Sequence, residues 1–100
     1  MSRRRGAVML ELSYTGQFKR DYKREISGQH AADLDDVLRA VTELLCAGSS
    51  LPKSNRDHAL KGPWKGARDC HLKPDLVLIY RKTDKAIELV RVGSHSELFG

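Results

Sequence analysis

The sequence lacks the features that mark membrane-spanning, disulfide-bonded and zinc-binding chains. Its 100 residues contain two cysteines, Cys46 and Cys70, and no C-x-x-C pair, so neither a disulfide scaffold nor a zinc ribbon is expected. No apolar run approaches the roughly 20 residues that a membrane-spanning helix requires. The apolar stretch after the N-terminal arginines is too brief for a secretory signal. These absences predict a cytoplasmic protein with free thiols, no membrane partner and no cofactor or metal.

The overall composition is that of one folded domain. Hydrophobic residues make up 40% of the chain and charged residues 31%, which distinguishes it from a disordered chain. One hundred residues suffice for one hydrophobic core but not for two. Residues 1–8 hold three arginines and no acid. We therefore predict a disordered basic tail over residues 1–8 and a single domain over residues 9–100.

The net charge of +5 is unevenly distributed. Residues 53–82 contain eight Lys or Arg against three Asp or Glu, whereas residues 9–52 contain five against seven. A basic segment of this kind favours a polyanionic partner, although an ordinary solvated surface has the same composition. The segment also contains His58, Trp64 and His71. The indole of Trp64 is open to two interpretations, an anchor for the loop or a platform on which a base stacks.

Hydrophobic periodicity predicts the elements of the first half. Residues 9–14 alternate between apolar and polar side chains, which indicates a short strand. Phe18, Tyr22 and Ile26 recur every four residues and predict an amphipathic helix. A second helix is predicted over residues 34–45, which carry apolar side chains at three-four spacing.

The second half reads as strands joined by turns. Residues 53–66 are expected to be an extended loop, followed by strands over residues 67–72, 76–80 and 87–92 and by a short terminal tail. The connections between these strands are too short for parallel crossovers, so the strands must form an antiparallel meander. The predicted fold class is α+β: a small antiparallel sheet with an N-terminal strand and a two-helix hairpin packed on one face.

Several side chains near the predicted strand ends suit RNA cleavage. Attack by a 2′-hydroxyl needs a base, protonation of the 5′-oxygen needs an acid, and the pentacoordinate phosphorane needs a cation. Histidine suits both proton transfers and arginine suits the phosphorane. His58, His71, His95, Asp75 and Arg91 could supply these roles without a metal, although the sequence pattern alone does not bring them together.

Longer motifs identify a family. The block R-D-H-A-L-K-G-P-W-K-G at residues 56–66, R-D-C-H at residues 68–71 and the terminal G-S-H-S-E-L-F-G at residues 93–100 resemble the YafQ-type branch of the RelE/ParE toxin superfamily. The similarity extends over residues 9–100. It implies a RelE-like fold and the toxin of a bacterial type II toxin-antitoxin system. Such toxins are ribosome-dependent endonucleases that cut mRNA in the A site without metal, leaving a 2′,3′-cyclic phosphate and a 5′-hydroxyl.

The resemblance also implies partners and residue roles. The expected partners are an adjacent acidic antitoxin, the ribosome and mRNA, with operator DNA bound only through the antitoxin complex. His95 is expected as the general acid and Arg91 as the phosphorane stabiliser. Either Asp75 or His71 is expected as the base or as the group that orients it. His58 would hold substrate or a neighbouring catalytic group, and Phe99 would stack on or position a base of the RNA. The predicted RNA- or ribosome-binding residues are Lys53, Arg56, Lys61, Trp64, Lys65 and Arg68.

One position departs from the family pattern. Leu76 stands where the close relative has a tryptophan. A contact to RNA or the ribosome would then be missing, and codon preference would differ from the adenine-rich codons expected of the family.

Two other functions compete with that of a nuclease. ParE-like toxins share the fold and inhibit DNA gyrase by protein binding, but they generally lack the acid-base histidines. A nucleic-acid-binding regulator would explain the basic segment but gives no reason for Arg91 and His95 beside Phe99.

Overall fold

The structure is a computed structural model that describes residues 9–100. The tail predicted over residues 1–8 lies outside the described residues. The elements follow in the order β1 (Glu11–Tyr14), α1 (Gly16–Ile26), α2 (Leu34–Cys46), β2 (His58–Ala59), β3 (Arg68–Lys73), β4 (Leu76–Lys82), β5 (Ala86–Gly93) and α3 (His95–Phe99), with short 3₁₀ turns at Lys53–Asn55 and Gly62–Trp64. The fold is α+β, as predicted.

The strands form one sheet in the order β1-β5-β4-β3-β2. Strands β3, β4 and β5 pair antiparallel, which confirms the predicted meander. Strand β1 pairs with β5 in parallel, with Leu12 opposite Ile87, so the sheet is mixed rather than wholly antiparallel. The parallel pairing is possible because the connection from β1 to β5 is long and includes both helices and three strands.

Two segments differ from the sequence-based expectations. The predicted loop over residues 53–66 contains both 3₁₀ turns and the two-residue strand β2. The predicted terminal tail contains α3, which begins with a capping box: the Ser94 hydroxyl accepts from the Glu97 backbone N–H, and the Glu97 carboxylate accepts from the Ser94 N–H. This reciprocal cap satisfies two backbone donors and allows a helix of only five residues to form.

Both long helices begin and pack as their sequences dictate. The Thr15 hydroxyl accepts a 2.9 Å hydrogen bond from the Phe18 N–H and starts α1. In α2, Asp35 and Asp36 lie in the first turn, where carboxylates favour the positive end of the helix dipole. The apolar stripes of both helices, including Phe18 and Leu34, pack against the same face of the sheet.

The two faces of the sheet are covered differently. The helix face buries the larger core, in which Leu78 and Leu89 meet α1 and α2. On the opposite face, Val77 and Ile79 pack against Leu98 of α3 and the half-buried Trp64. Strand β4 is therefore covered on both faces, as its continuous apolar run predicts. Leaving residues 1–8 aside, the chain contains no helix long and apolar enough to cross a membrane.

Candidate active site

Strand register places several predicted site residues on the sheet face opposite α1 and α2. His58 pairs with Asp69, Asp69 with Ile79, and Ile79 with Arg91. Residues that stand directly opposite each other on neighbouring strands project from the same face. His71 lies two residues after Asp69 and therefore belongs to this face as well. Register brings His58 and His71 to one side of the sheet. Arg91 stands opposite Ile79 beside a β-bulge, and its guanidinium reaches Asp21 of α1.

Helix α3 adds the aromatic and imidazole side chains that complete the site. The rings of His71 and His95 have centroids 5.4 Å apart, and those of His95 and Phe99 are 5.5 Å apart. His95 and Phe99 are four residues apart on α3 and therefore share one side of it. Trp64 contacts Phe99 edge to face at 6.4 Å. The structure thus groups His71, His95 and Phe99, with the indole behind Phe99.

Asp69 belongs to this site although the sequence analysis gave it no role. Its side chain is buried, and Oδ1 has no hydrogen-bond partner within residues 9–100. Burial raises the pKa of the Asp69 carboxyl, an effect partly opposed by the nearby imidazoles of His58, His71 and His95. A carboxyl near three histidines can orient their rings and stabilise the charged imidazolium. The D-x-H spacing of Asp69 and His71, which puts both side chains on one strand face, was the available signal.

His58 lies beside Asp69 at the sheet edge. Its Nδ1 is 2.8 Å from the carbonyl oxygen of Arg56 and 3.1 Å from Asp69 Oδ1. The Nδ1–H donates to the Arg56 carbonyl, while the distance to Asp69 allows an ion pair when the ring is protonated. The side chain of His58 is 57% exposed, so its Nε2 is free to meet a ligand.

Arg91 is held from the helix side of the molecule. Its Nε donates to Asp21 Oδ2 and its Nη2 to Asp21 Oδ1, both at 2.9 Å. Burial opposes ionisation of Asp21, but hydrogen bonds from Arg91, Gln17, Arg24 and the Val92 N–H outweigh it and hold the Asp21 pKa below its usual value. The hydrogen bonds to Asp21 raise the pKa of Arg91. The guanidinium is therefore fixed in position and permanently charged.

Asp75 stands apart from the histidine cluster. It is exposed in the turn between β3 and β4 and lines a cavity of about 420 Å³ whose other lining residues include His30, Ser94 and Glu97. Within residues 9–100 no hydrogen bond or ion pair joins Asp75 to a histidine of the site. Leu76, which stands where the close relative has a tryptophan, is fully buried in the larger core.

The predicted RNA-binding residues divide into two groups. Lys53, Arg56, Lys61 and Lys65 are exposed, and Arg56 shares a cleft of about 340 Å³ with His71. Arg68 pairs instead with Tyr80 across the sheet, on the helix face. Its Nε donates to Asp57 Oδ1 at 3.1 Å, and the Tyr80 hydroxyl donates to the same oxygen at 2.6 Å. The structure thus separates Arg68 from the site.

Trp64 packs on the site face of the sheet. It is half-buried against the smaller core, which contains Ile79 and Leu98. In residues 9–100 no group of three or more His, Cys, Asp or Glu side chains is arranged to hold a metal ion. The described residues of the site therefore offer acid-base groups, a fixed cation and exposed positive charge, which together can act on a phosphodiester.

Comparison with known proteins assigns the chain to a family. Residues 10–100 match the family model described as the bacterial toxin of type II toxin-antitoxin systems, YafQ. The mRNA interferase toxin YafQ of Escherichia coli strain K12 is 37% identical over 93 residues, which cover 93% of this chain and 99% of that protein.

Solved structures agree with this assignment. YafQ in the E. coli DinJ-YafQ toxin-antitoxin complex is 37% identical, with a TM-score of 0.78 over 93% of this chain and all of that one. A copper-bound mutant toxin from Helicobacter pylori is 41% identical, with a TM-score of 0.83 over 91% of this chain and all of that one. With its fold, its motifs and nearly its whole length matched, the chain belongs to the YafQ family of type II toxin-antitoxin toxins.

Proposed function

We propose that the protein cleaves mRNA in the ribosomal A site and thereby inhibits translation in the cytoplasm. The observation that carries this proposal is the grouping of His71, His95 and Phe99 beside buried Asp69, with His58 on the same sheet face and Arg91 on strand β5. Support also comes from the E. coli relative, which is named an mRNA interferase. A toxin that binds gyrase has no use for such a set of proton-transfer groups.

The chemistry is an internal transesterification. A base takes the proton of the 2′-hydroxyl, whose oxygen then attacks the neighbouring phosphorus. The bond from phosphorus to the 5′-oxygen breaks, and an acid donates a proton to that leaving oxygen. The products are a 2′,3′-cyclic phosphate and a 5′-hydroxyl. Histidine suits both proton transfers, and the reaction consumes no cofactor.

His95 acts as the general acid in this scheme, and His71 is the better placed of the two base candidates. The two imidazoles lie side by side with a centroid distance of 5.4 Å, so both can reach one phosphodiester placed against the pair. Asp75 lines a different cavity, which favours His71 as the base. Asp69 assists both proton transfers, because its negative charge stabilises an imidazolium next to it.

Arg91 stabilises the phosphorane, and His58 and Phe99 hold the substrate. Asp21 binds two nitrogens of the Arg91 guanidinium, leaving Nη1 for a phosphate oxygen. Phe99 is 39% exposed, enough for a base to stack on its ring. The exposed Nε2 of His58 can donate to or accept from the RNA.

The partners follow from charge and from the relatives. Lys53, Arg56, Lys61 and Lys65 are exposed and form the positive surface that would contact the message and ribosome. The same surface would attract an acidic antitoxin, and in the E. coli complex YafQ is bound to the antitoxin DinJ. Operator DNA would be bound only through that antitoxin.

The proposal is tested by expression and by cleavage in vitro. Expression of the wild type should arrest growth, and His95→Ala or Arg91→Ala should relieve the arrest. Lys85→Ala, in the exposed turn before β5, is the control and should arrest growth like the wild type. EDTA should leave cleavage on ribosomes intact, whereas complete loss would refute the metal-free step. Full toxicity of both His95→Ala and Arg91→Ala would refute the nuclease assignment.

A further inference from the structure

One charged cluster joins α1 to both the strand and the helix that carry site residues. We call it the α1 ionic cluster, formed by Asp21, Arg24, Glu25, Arg91 and Glu97. Arg24 lies at its centre: Nη1 is 2.9 Å from Asp21 Oδ1, and Nε is 2.9 Å from Glu25 Oε2 and 3.1 Å from Glu97 Oε2. Asp21 in turn holds the Arg91 guanidinium by two hydrogen bonds.

The cluster also closes the edge of β5 beyond the end of β1. Strand β1 pairs with β5 only as far as Leu89. Further along, the Val92 N–H donates to Asp21 Oδ2 at 3.2 Å, and the Val92 carbonyl accepts from Arg24 Nη2 at 3.0 Å. Side chains of α1 thus satisfy the backbone groups that a neighbouring strand would otherwise bind. This ties the position of the α1 side chains to the backbone next to Arg91.

The absence of a side chain at Gly93 leaves the space that the Arg24 guanidinium occupies. A Cβ placed on Gly93 would lie 2.7 Å from Arg24 Nη2 and 3.0 Å from Glu97 Oε1. The Arg24 guanidinium therefore packs directly over the backbone between β5 and α3, and a larger residue at position 93 would displace it together with the Glu97 carboxylate. Its position is set by backbone contact as well as by charge.

Helix α3 depends on Glu97 for its orientation. The helix has five residues, too few to be stable on its own in water. Glu97 completes the capping box through Oε1, which accepts from the Ser94 N–H at 2.9 Å, and it meets Arg24 through Oε2. His95 is the first residue of α3 and Phe99 the last, so the contact with Arg24 constrains the helix that carries both.

We propose that Arg24 and Asp21 are positioning residues of the cleavage site. Asp21 orients the Arg91 guanidinium. Arg24 bridges Asp21 and Glu97 and so fixes the position of His95 relative to Arg91. The proposal rests on the proposed RNA cleavage. Neither side chain contacts the reacting atoms. Asp21 acts through Arg91, and Arg24 acts through Asp21 and Glu97, so their loss should lower the rate of the chemical step more than substrate binding.

The test is single-turnover cleavage of a message on programmed ribosomes by Arg24→Leu, with Lys23→Leu as the matched control. Lys23 is an exposed cation one position earlier on the same helix. Arg24→Leu should reduce the maximal rate by up to about 10²-fold, with the half-saturating ribosome concentration changed less than threefold. Lys23→Leu should match the wild type. A maximal rate within twofold of the wild type for Arg24→Leu would overturn the proposal.

A second pair of variants separates positioning from simple loss of folding. Glu97→Gln keeps the capping box, because Gln serves at that position, but removes the ion pair with Arg24. If the two residues act together, Glu97→Gln should also slow cleavage, and the double variant with Arg24→Leu should be no slower than the slower single variant. Multiplying effects in the double variant would contradict the coupling. Arg24→Lys should cleave faster than Arg24→Leu but more slowly than the wild type, because lysine keeps the positive charge but lacks the planar guanidinium that binds several carboxylates at once.

His95→Ala distinguishes failure of this inference from failure of the proposed function. If His95→Ala abolishes cleavage while Arg24→Leu cleaves at the wild-type rate, RNA cleavage stands and the positioning role is wrong. If His95→Ala cleaves like the wild type, the assignment of the site itself is wrong. Thermal unfolding of each variant checks the remaining case: a slow variant that is also largely unfolded at the assay temperature counts against positioning.

Discussion

Substitution of Asp69 by asparagine should make the protein more stable and less active. Asp69 is 2% exposed, and its Oδ1 lacks a hydrogen bond in the described part of the chain. Keeping a buried carboxylate with an unsatisfied oxygen costs about 1–3 kcal/mol. Asn has the same shape and no charge, so Asp69→Asn should remove the part of the cost that comes from burying a charged group. For a domain of this size, about 1 kcal/mol corresponds to a rise in Tm of about 4–8 °C.

The pH dependence of this effect identifies its cause. Burial raises the pKa of Asp69 in the folded protein above the unfolded value, so the folded state binds the proton more tightly. The stability that this provides is present below the unfolded pKa, near 4, and is lost as pH rises through the folded pKa. The gain in Tm from Asp69→Asn should therefore be large at pH 8 and nearly absent at pH 3.5.

Activity should change in the opposite direction. Asp69 lies beside His58 at 3.1 Å, and His71 and His95 are close enough to influence the pKa of its carboxyl. Its neutralisation should slow cleavage on the order of tenfold or more. Differential scanning calorimetry at both pH values and single-turnover cleavage at pH 7 provide the measurements. A Tm that falls at pH 8, or a cleavage rate equal to that of the wild type, would refute the reasoning.

Three further predictions follow from the packing. Leu98→Ala should destabilise the protein by about 2–4 kcal/mol in denaturant unfolding and abolish cleavage, because buried Leu98 anchors α3; a functional variant would show that α3 is dispensable. Cys46 and Cys70 are buried, and burial raises the pKa of Cys70 to about 12, so neither thiol should react with a disulfide reagent at pH 8 until denaturant is added. Asp21, whose pKa is lowered, stabilises the fold above pH 4 and loses this effect on acidification; Asp21→Asn should therefore flatten the acid limb of the stability profile measured by circular dichroism.

The helices and the last three strands could be predicted from the sequence because their signals are local. The four-residue recurrence of Phe18 and Tyr22, and the short turns between apolar runs, need no knowledge of distant residues. Helix α3 was missed although its capping box, Ser94 to Glu97, is readable. The parallel pairing of β1 with β5 was not predictable, because it joins Leu12 to Ile87 across most of the chain.

The site was predictable in part, through its motifs rather than through periodicity. The resemblance named His71, His95 and Phe99, and the structure groups them. Strand register, which the sequence does not reveal, places His58 in line with Asp69 and Arg91.

Two predicted site residues lie apart from the groups to which the resemblance assigns them. Asp75 as a base candidate and Arg68 as an RNA-binding residue stay predictions. A turn carries Asp75 to another cavity, and strand alternation turns Arg68 to the helix face, where it pairs with Asp57.

Mapping of the RNA ends on a programmed ribosome tests the central claim most directly. The wild-type protein should cut the codon in the A site and leave a 2′,3′-cyclic phosphate upstream and a 5′-hydroxyl downstream, with EDTA present. His95→Ala should leave the message intact under the same conditions. Wild-type protein that arrests growth but leaves the message uncut, or a downstream fragment that carries a 5′-phosphate, would contradict the account.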